Sequence, residues 1–350
     1  MRMKLILTTS AAIVTAAAVA ACGTRQDTAE LQEFDADELC TLEQRDRPIG
    51  EIYSMSVAND TILLLTTESE VMQYSVLGKY VGSIGHKGRA SGEYGMPMKV
   101  RSDGDNIYVW DAMGLKFLRY DIAGNYIDEY QYPSALKDFI PYEDEILVYT
   151  AGVRQDKLID IYDTRSRTIV KSLTESLPSQ RVFNTMGIYP MGIKNGFLYY
   201  MPCCELRLYR YDLRNGGDEE CLCEIESASF NVPEINDEDA LLSKRSKLSE
   251  FYDETSSALM IAPENNGFDI LTCEGIYYRE NDQRKFDKRY YVFYHIDVKG
   301  SVTARKRISY GTFESKSAMN ICGNNLYFLK RTLNAAENEE NHILFKHAIE

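Results

Sequence analysis

Short apolar runs separated by polar turns recur along most of this chain. One complete cycle lies between residues 81 and 130 and predicts strands at 98–101, 107–110, 116–120 and 126–130. Valine, isoleucine, tyrosine and tryptophan in these runs favour a pleated, packed surface. The intervening turns contain glycine and asparagine, which adopt the positive φ of tight hairpins. The cycle therefore predicts a four-stranded antiparallel meander.

The second strand of this cycle recurs six times, each time after a polar turn. The six runs begin at Ile62, Ile107, Ile146, Phe197, Phe268 and Leu326. They are apolar at nearly every position, which indicates sheets that are buried on both faces. Six four-stranded sheets packed around a ring form a β-propeller. The sequence therefore predicts an all-β fold, a six-bladed β-propeller with four-stranded antiparallel blades; a large β-sandwich is the alternative.

The last repeat is one strand short at the end of the chain. Residues 38–42 precede the first repeat and are available as the fourth strand of that blade, which would close the ring. Leu39 and Leu42 are then expected to be buried. The predicted propeller domain spans residues 38–350.

Residues 236–256 are predicted to form one helix inserted between two blades. Asn236 or Asp237 can cap it, and Leu241, Leu248 and Tyr252 recur on one stripe. The stripe is expected to pack on the propeller, and a lid or partner-docking element is the alternative.

The first residues have the pattern of a targeting segment. Arg2 and Lys4 precede an apolar run, which leads into Val19-Ala20-Ala21-Cys22-Gly23. This resembles a bacterial lipobox, in which Cys22 becomes the lipidated first residue; an ordinary secretory cleavage site is the alternative. The expectation is a lipoprotein signal peptide at 1–21 and a lipidated tether at 22–37. A lipid anchor can hold a soluble domain at a membrane without a spanning helix.

The chain is acidic, with a formal net charge of −14. Loss of residues 1–21 removes Arg2 and Lys4 and makes it −16. Nucleic acid needs a basic surface, so no nucleic-acid partner is expected.

Glycines at 82, 85, 88, 92 and 95 form a loop between two predicted blades. No Gly-Lys-Ser/Thr follows, so the loop is not a nucleotide-binding P-loop. Most simply, the glycines let the chain cross between blades. The predicted ligand-binding residues in the loop are His86, Arg89, Glu93 and Tyr94, with Lys87 beside them; a structural salt bridge or a solvated loop is the alternative.

The run from Gly85-His86-Lys87 through Gly92-Glu93-Tyr94, with Arg119-Tyr120-Asp121 after it, resembles the six-bladed β-propeller lipoproteins of Bacteroidetes-type bacteria. Those proteins are related in pattern to NHL and TolB-like propellers. The blade pattern covers residues 45–350. The resemblance implies a cell-envelope protein, anchored most simply at the outer membrane, on the periplasmic or the outer side.

The long connections share one parity, which places them on one face of the ring. They span residues 82–95, 174–188, 227–257, 274–288 and 332–341. Binding sites are commonly built from loops on a rigid scaffold and at the mouth of a central channel. Tyr277, Tyr278 and Arg279 on this face are predicted to form an aromatic and cationic platform.

Cys203, Cys204, Cys221 and Cys223 lie close together in sequence. Four thiolates can bind zinc, but the spacing lacks the usual C-x₂-C pairs. A disulfide from Cys204 to Cys221 or Cys223 is a second interpretation in an oxidising envelope. Buried free thiols are the favoured one.

No sequence motif in the chain indicates a catalytic site. There are four histidines and no Gly-x-Ser-x-Gly or His-Glu-x-x-His motif, while Asp103 and Asp105 fit a hairpin turn better than a calcium loop. No catalytic residue, metal or cofactor is expected. The predicted function is a noncatalytic binding or scaffold protein for a peptide, glycan or partner protein; a hydrolase or lyase with its site at the channel mouth is the alternative.

Overall fold

Six four-stranded antiparallel sheets are arranged as the blades of a ring. The computed structural model describes residues 31–44, 48–150, 156–183, 188–281, 283–334 and 339–349. The first strand of each blade contacts the first strands of both neighbouring blades, so these strands are innermost. The predicted six-bladed β-propeller is confirmed.

The N-terminal half of the chain forms one closing strand and three complete blades. The closing strand is β1 (Asp37–Thr41). Blade 1 consists of β2 (Ile52–Ala58), β3 (Thr61–Thr66), β4 (Val71–Ser75) and β5 (Tyr80–Ser83). A short parallel pair follows, β6 (His86–Lys87) and β7 (Glu93–Tyr94). Blade 2 consists of β8 (Pro97–Ser102), β9 (Asn106–Asp111), β10 (Lys116–Asp121) and β11 (Tyr126–Gln131). Blade 3 consists of β12 (Leu136–Tyr142), β13 (Glu145–Thr150), β14 (Lys157–Asp163) and β15 (Thr168–Glu175).

The C-terminal half contains the inserted helices and the last three blades. Blade 4 consists of β16 (Met191–Lys194), β17 (Phe197–Tyr200), β18 (Arg207–Asp212) and β19 (Glu220–Glu224), preceded by helix α1 (Pro178–Val182). Blade 5 consists of β20 (Ser257–Glu264), β21 (Gly267–Gly275), β24 (Arg289–Asp297) and β25 (Val302–Ser309), with the ribbon β22 (Tyr278–Glu280) and β23 (Gln283–Lys285) between β21 and β24. Short 3-10 turns lie at Tyr310–Thr312 and Lys316–Ala318. Blade 6 consists of β26 (Met319–Cys322), β27 (Asn325–Asn334), β28 (Glu339–Ala348) and β1.

The N-terminal segment closes the ring at blade 6. Strand β1 pairs with β28 in antiparallel register, with Asp37 opposite Lys346. Leu42 is buried as predicted, but Leu39 is 42% exposed because it points away from the blade, so that part of the prediction is wrong. Phe34 adds a contact that the sequence did not indicate, since its ring lies 5.3 Å from Phe313. Closure therefore rests on residues both inside β1 and just before it.

The aspartate that ends the third strand of four blades caps the turn that follows. Asp121 accepts a hydrogen bond from the backbone N–H of Asn125 at 2.8 Å. Asp163, Asp212 and Asp297 each accept backbone N–H groups of their own turns in the same way. These hydrogen bonds lower the pKa of all four carboxyls, because an ionised carboxylate is the better acceptor. The repeated aspartates thus stabilise turns.

The predicted single helix at 236–256 is two helices, α2 (Glu238–Leu242) and α3 (Arg245–Glu254). Asp237 caps α2 by accepting the backbone N–H of Ala240 at 2.9 Å. The chain leaves helical geometry at Lys244, which starts the second helix from an extended conformation. Leu241, Leu248 and Tyr252 pack against the propeller, in agreement with the predicted stripe.

The long connections emerge together on one face of the ring. Connections from second to third strands, and from one blade to the next, leave a meander at the same end. They contain the β6–β7 pair, the three α-helices and the β22–β23 ribbon. We call this the long-loop face and the other the short-turn face. Within the described residues, no helix is long and apolar enough to cross a membrane.

Candidate functional site

The central channel contains a buried ion network on the innermost strands. Arg101 on β8 donates to Asp138 on β12, with Nη2 and Oδ2 2.5 Å apart, and the Asp138 side chain is fully buried. Lys99, also on β8, places Nζ 3.5 Å from the other Asp138 oxygen. Asp138 is thus shared by two cations, and both cations also lie against the ring of Tyr189, at 3.6 Å for Lys99 and 4.5 Å for Arg101.

Tyr189 fills the space next to this network. Its backbone pairs with β20, and its hydroxyl donates to the Met55 carbonyl of β2 at 3.2 Å. Lys99 Nζ lies 3.6 Å from the centre of the Tyr189 ring and donates to the carbonyl of Ile188 at 3.0 Å. Tyr189 and the ion network thus fill space between the innermost strands, whereas the alternative enzymatic site was expected at the channel mouth.

The glycine-rich loop holds its own carboxylate. Glu93 accepts the backbone N–H of Ala90 at 2.8 Å, and its other oxygen lies 2.8 Å from His86 Nε2. The Ala90 hydrogen bond, with the bond to His86, lowers the pKa of Glu93. A Cβ at Gly88 would lie 1.8 Å from Glu93 Oε2, so a larger residue there would displace the Glu93 carboxylate. Arg89 is exposed and has no ion pair within the described residues.

Tyr94 lies in the core and is not accessible to a ligand. Its side chain is fully buried, and its hydroxyl donates to the carbonyl of Ile84 at 3.1 Å. Burial raises the pKa of Tyr94 to about 12. Its inclusion among the ligand-binding residues is therefore corrected.

An aromatic cluster lies on the long-loop face of blade 5. Phe286 is 44% exposed and stacks on Tyr310, with ring centres 5.7 Å apart, and Tyr310 stacks on Tyr291 at 5.2 Å. Tyr277 meets Phe286 edge-on at 5.0 Å, and the Arg284 guanidinium lies 5.1 Å from the Tyr277 ring. We call these five residues the blade 5 ledge.

The two predicted groups of site residues lie in different parts of the ring. His86, Arg89 and Glu93 are between blades 1 and 2, whereas Tyr278 and Arg279 are on the ribbon of blade 5. Tyr278 donates to Asp287 at 3.2 Å, and Arg279 is exposed. The structure therefore shows two separate surfaces on one face.

All seven cysteines in the described residues are free thiols. Cys203 and Cys204 are buried with their sulfurs 3.8 Å apart, whereas Cys221 is exposed on β19. The neighbouring Cys204 thiol and the Lys137 ammonium lower the pKa of Cys203 to about 6. Buried free thiols are found at 203 and 204, and Cys221 departs from that expectation. No group of three or more His, Cys, Asp or Glu side chains is arranged for a metal ion within the described ranges.

A cleft of about 740 Å³ lies between blades 5 and 6 at the short-turn face. Asp269, 3% exposed on β21, lies 2.7 Å from Nδ1 of His295 on β24. Both residues line the cleft, together with Lys306 of β25 and Lys346 of β28. The sequence analysis missed this pair. Its signal was a polar residue inside two apolar strands, at positions that the register places opposite each other.

Two solved structures share this architecture over nearly their whole length. A protein of Bacteroides fragilis NCTC 9343 named "Putative exported protein" has a TM-score of 0.62 and 14% identity, covering 90% of this chain and 95% of its own. A member of the DUF4221 family from Bacteroides vulgatus ATCC 8482 has a TM-score of 0.60 and 11% identity, covering 89% and 94%. At these identities the likeness shows the fold alone. No curated protein matches the sequence.

The six four-stranded blades thus define a six-bladed β-propeller, with its long connections on one face of the ring. The model of the family described as "DUF5128: 6-bladed beta-propeller" matches residues 18–217, more than half of the chain. The chain belongs to this family.

Proposed function

We propose that this protein is an exported cell-envelope protein, anchored by lipid at Cys22, that binds a peptide, glycan or partner protein without catalysis. The observation that carries the proposal is the blade 5 ledge on the long-loop face, where Phe286 and Arg284 are exposed and are backed by the stacked rings of tyrosines. Aromatic and arginine side chains dominate binding energy at interfaces.

The charge network of the channel supports binding over catalysis. Lys99, Arg101 and Asp138 are paired with one another and lie against Tyr189. A hydrolase or lyase at the channel mouth would need such groups directed toward substrate. The alternative therefore has less support than a surface site.

Export is supported by the name of the Bacteroides fragilis structure and by the apolar run that precedes Cys22. Cys22, the signal peptide 1–21 and most of the tether 22–37 lie outside the described residues. Changing Cys22 to Ser should abolish labelling by a fatty-acid probe in the native host. Labelling that persists in this variant would contradict the lipid anchor.

The binding surface can be tested by pull-down from native envelope extract. Phe286→Ala in the ledge, combined with Arg279→Ala on the neighbouring ribbon strand β22, should recover about tenfold less partner, the effect of ~1.4 kcal/mol of binding energy. Val298→Ala is the matched control, because Val298 is 68% exposed in the same blade on the short-turn face. If Val298→Ala rather than the double variant loses the partner, the binding surface lies on the short-turn face and the proposed surface is contradicted.

A further inference from the structure

We propose that the cleft between blades 5 and 6 binds a small oxyanion, a carboxylate or phosphate group, with His295 as its anchor. The proposal does not depend on the long-loop face, because the cleft opens on the other side of the ring. Asp269 follows the β20–β21 turn, His295 precedes the β24–β25 turn, and Ala348 ends β28. All three positions are at the short-turn ends of their strands.

A contact with the buried Asp269 carboxylate fixes the orientation of the His295 ring. Nδ1 lies 2.7 Å from Asp269 Oδ1, and the Asp269 side chain is 4% exposed. Since a carboxylate only accepts, Nδ1 carries the hydrogen, which leaves Nε2 as the free ring nitrogen. The His295 side chain is 24% exposed and lines the cleft, and Nε2 has no partner within the described residues. The imidazole therefore presents one nitrogen to whatever enters.

Two lysines supply positive charge on either side of His295. Lys306 on β25 is opposite Phe293 of β24, which lies two residues before His295 on the same face of the sheet. Lys346 lies on β28 of blade 6. Neither forms an ion pair in the part of the chain that the structure describes. In the channel, by contrast, Lys99 and Arg101 both pair with the carboxylate of Asp138. Cations without a protein carboxylate are the groups that an oxyanion would neutralise.

The N-terminal segment forms the third wall. The charged and titratable residues that line the cleft beside Asp269 and His295 are Asp35, Asp37, Tyr294, Arg305, Lys306, Lys346 and His347. Asp35 and Asp37 belong to the closing segment, and the cations belong to the sheets. His347 donates to the carbonyl of Asp35 at 2.5 Å, which holds the segment against blade 6. The cleft volume is in the range of small-molecule sites.

Binding should strengthen on acidification. A neutral His295 offers only an acceptor at Nε2, whereas a protonated one offers a charged donor to an anion. Burial raises the pKa of Asp269, so acidification also reduces the negative charge behind His295. Both changes favour an oxyanion in the cleft at the lower pH.

The test uses the purified full chain labelled with ¹⁵N at histidine, titrated with citrate or inorganic phosphate at pH 6 and pH 8. We expect a saturable shift of the His295 resonance, with affinity about tenfold higher at pH 6. His295→Gln should remove this pH dependence and lower the affinity at pH 6 by about tenfold. Lys306→Met should weaken binding at both pH values. The tighter of the two anions identifies the group that the cleft prefers.

His86→Gln is the matched control, because His86 is an exposed histidine beside Glu93 on the other face. It should leave binding unchanged, and melting curves should show that each variant is folded. The proposal is overturned if neither anion binds saturably, or if binding and its pH dependence persist in both His295→Gln and Lys306→Met.

Discussion

The central channel and the cleft between blades 5 and 6 both contain lysines and a buried carboxylate, but among the described residues the lysine is ion-paired only in the channel. In the channel, Lys99 and Arg101 share Asp138; Lys99 and Asp138 are buried, and the Arg101 side chain is 12% exposed. In the cleft, Lys306 and Lys346 stand without ion pairs in the described chain, beside a histidine held on a buried carboxylate. The paired charges of the channel are typical of a protein interior, whereas unpaired lysines such as those of the cleft are typical of a ligand-binding site.

The difference follows from what fills each space. Six inner strands surround the channel, and Tyr189 joins two of them, with its backbone paired to β20 and its hydroxyl bonded to β2. Between blades 5 and 6, residues of the N-terminal segment line an open cleft beside the sheets.

The largest expected effect comes from removing the bridge. A chain that begins at Pro48 lacks β1, Phe34 and Leu42, and should lose about 3–6 kcal/mol of unfolding free energy, since each of the two large apolar side chains contributes ~1.5–3 kcal/mol when buried. The loss also exposes the edge of β28. Urea denaturation measures it, with a chain beginning at residue 31 as the control. An unchanged midpoint would show that the segment is only a tether.

The channel network is the next test. Asp138→Ala leaves Lys99 and Arg101 buried without a carboxylate and should cost about 3–5 kcal/mol. Asp128→Ala is the control, because the Asp128–Arg119 pair is about one-third exposed and such pairs contribute about 1 kcal/mol or less. Equal losses in the two variants would remove the distinction between channel and surface charges.

The cleft pair should give a pH dependence of defined sign. Burial raises the pKa of Asp269, so the folded protein binds this proton more strongly than the unfolded chain. The contribution of the carboxyl to stability is then fully present below the unfolded pKa of ~3.9 and is lost as the pH rises through the folded value. The stability of wild type relative to Asp269→Asn should therefore fall between pH 4 and pH 7.

Asp121→Asn provides the control with the opposite sign. Hydrogen bonds from the side chain and backbone of Asn125 lower the pKa of Asp121, so its contribution is present above the unfolded pKa and lost on acidification. Urea midpoints at both pH values measure the two variants. The same sign for both would contradict the assigned environments.

The smallest effect is expected at the cleft lysine. Lys306→Met removes no ion pair present in the described residues and should change stability by less than about 0.5 kcal/mol. Lys99→Met should cost clearly more, because Lys99 is 4% exposed and donates to the carbonyl of Ile188. A large loss in Lys306→Met would show that the cleft charge serves the fold.

Much of the architecture could be predicted because it is local. Apolar runs of four or five residues, turns with glycine and asparagine, and a missing last strand were enough for the six blades and the closing role of residues 38–42. The parity of the long connections followed from antiparallel pairing alone. These features depend on neighbours in sequence, which the pattern of residues records directly.

The candidate sites were harder to predict from the sequence, because they depend on contacts between residues that are distant in the chain. Tyr94 and Arg89 look alike as loop residues, yet one hydroxyl is inside the core and the other side chain is exposed. Leu39 and Leu42 are both leucines of the closing segment, yet Leu39 lies at the register shift between Glu38 and Cys40 and is exposed, whereas Leu42 is buried beside β28. Asp269 and His295 are 26 residues apart and meet because β21 and β24 pair across an intervening ribbon. The sequence by itself determined the strands and their number; tertiary packing decided which charges are neutralised and which face open space, because that depends on residues distant in the chain.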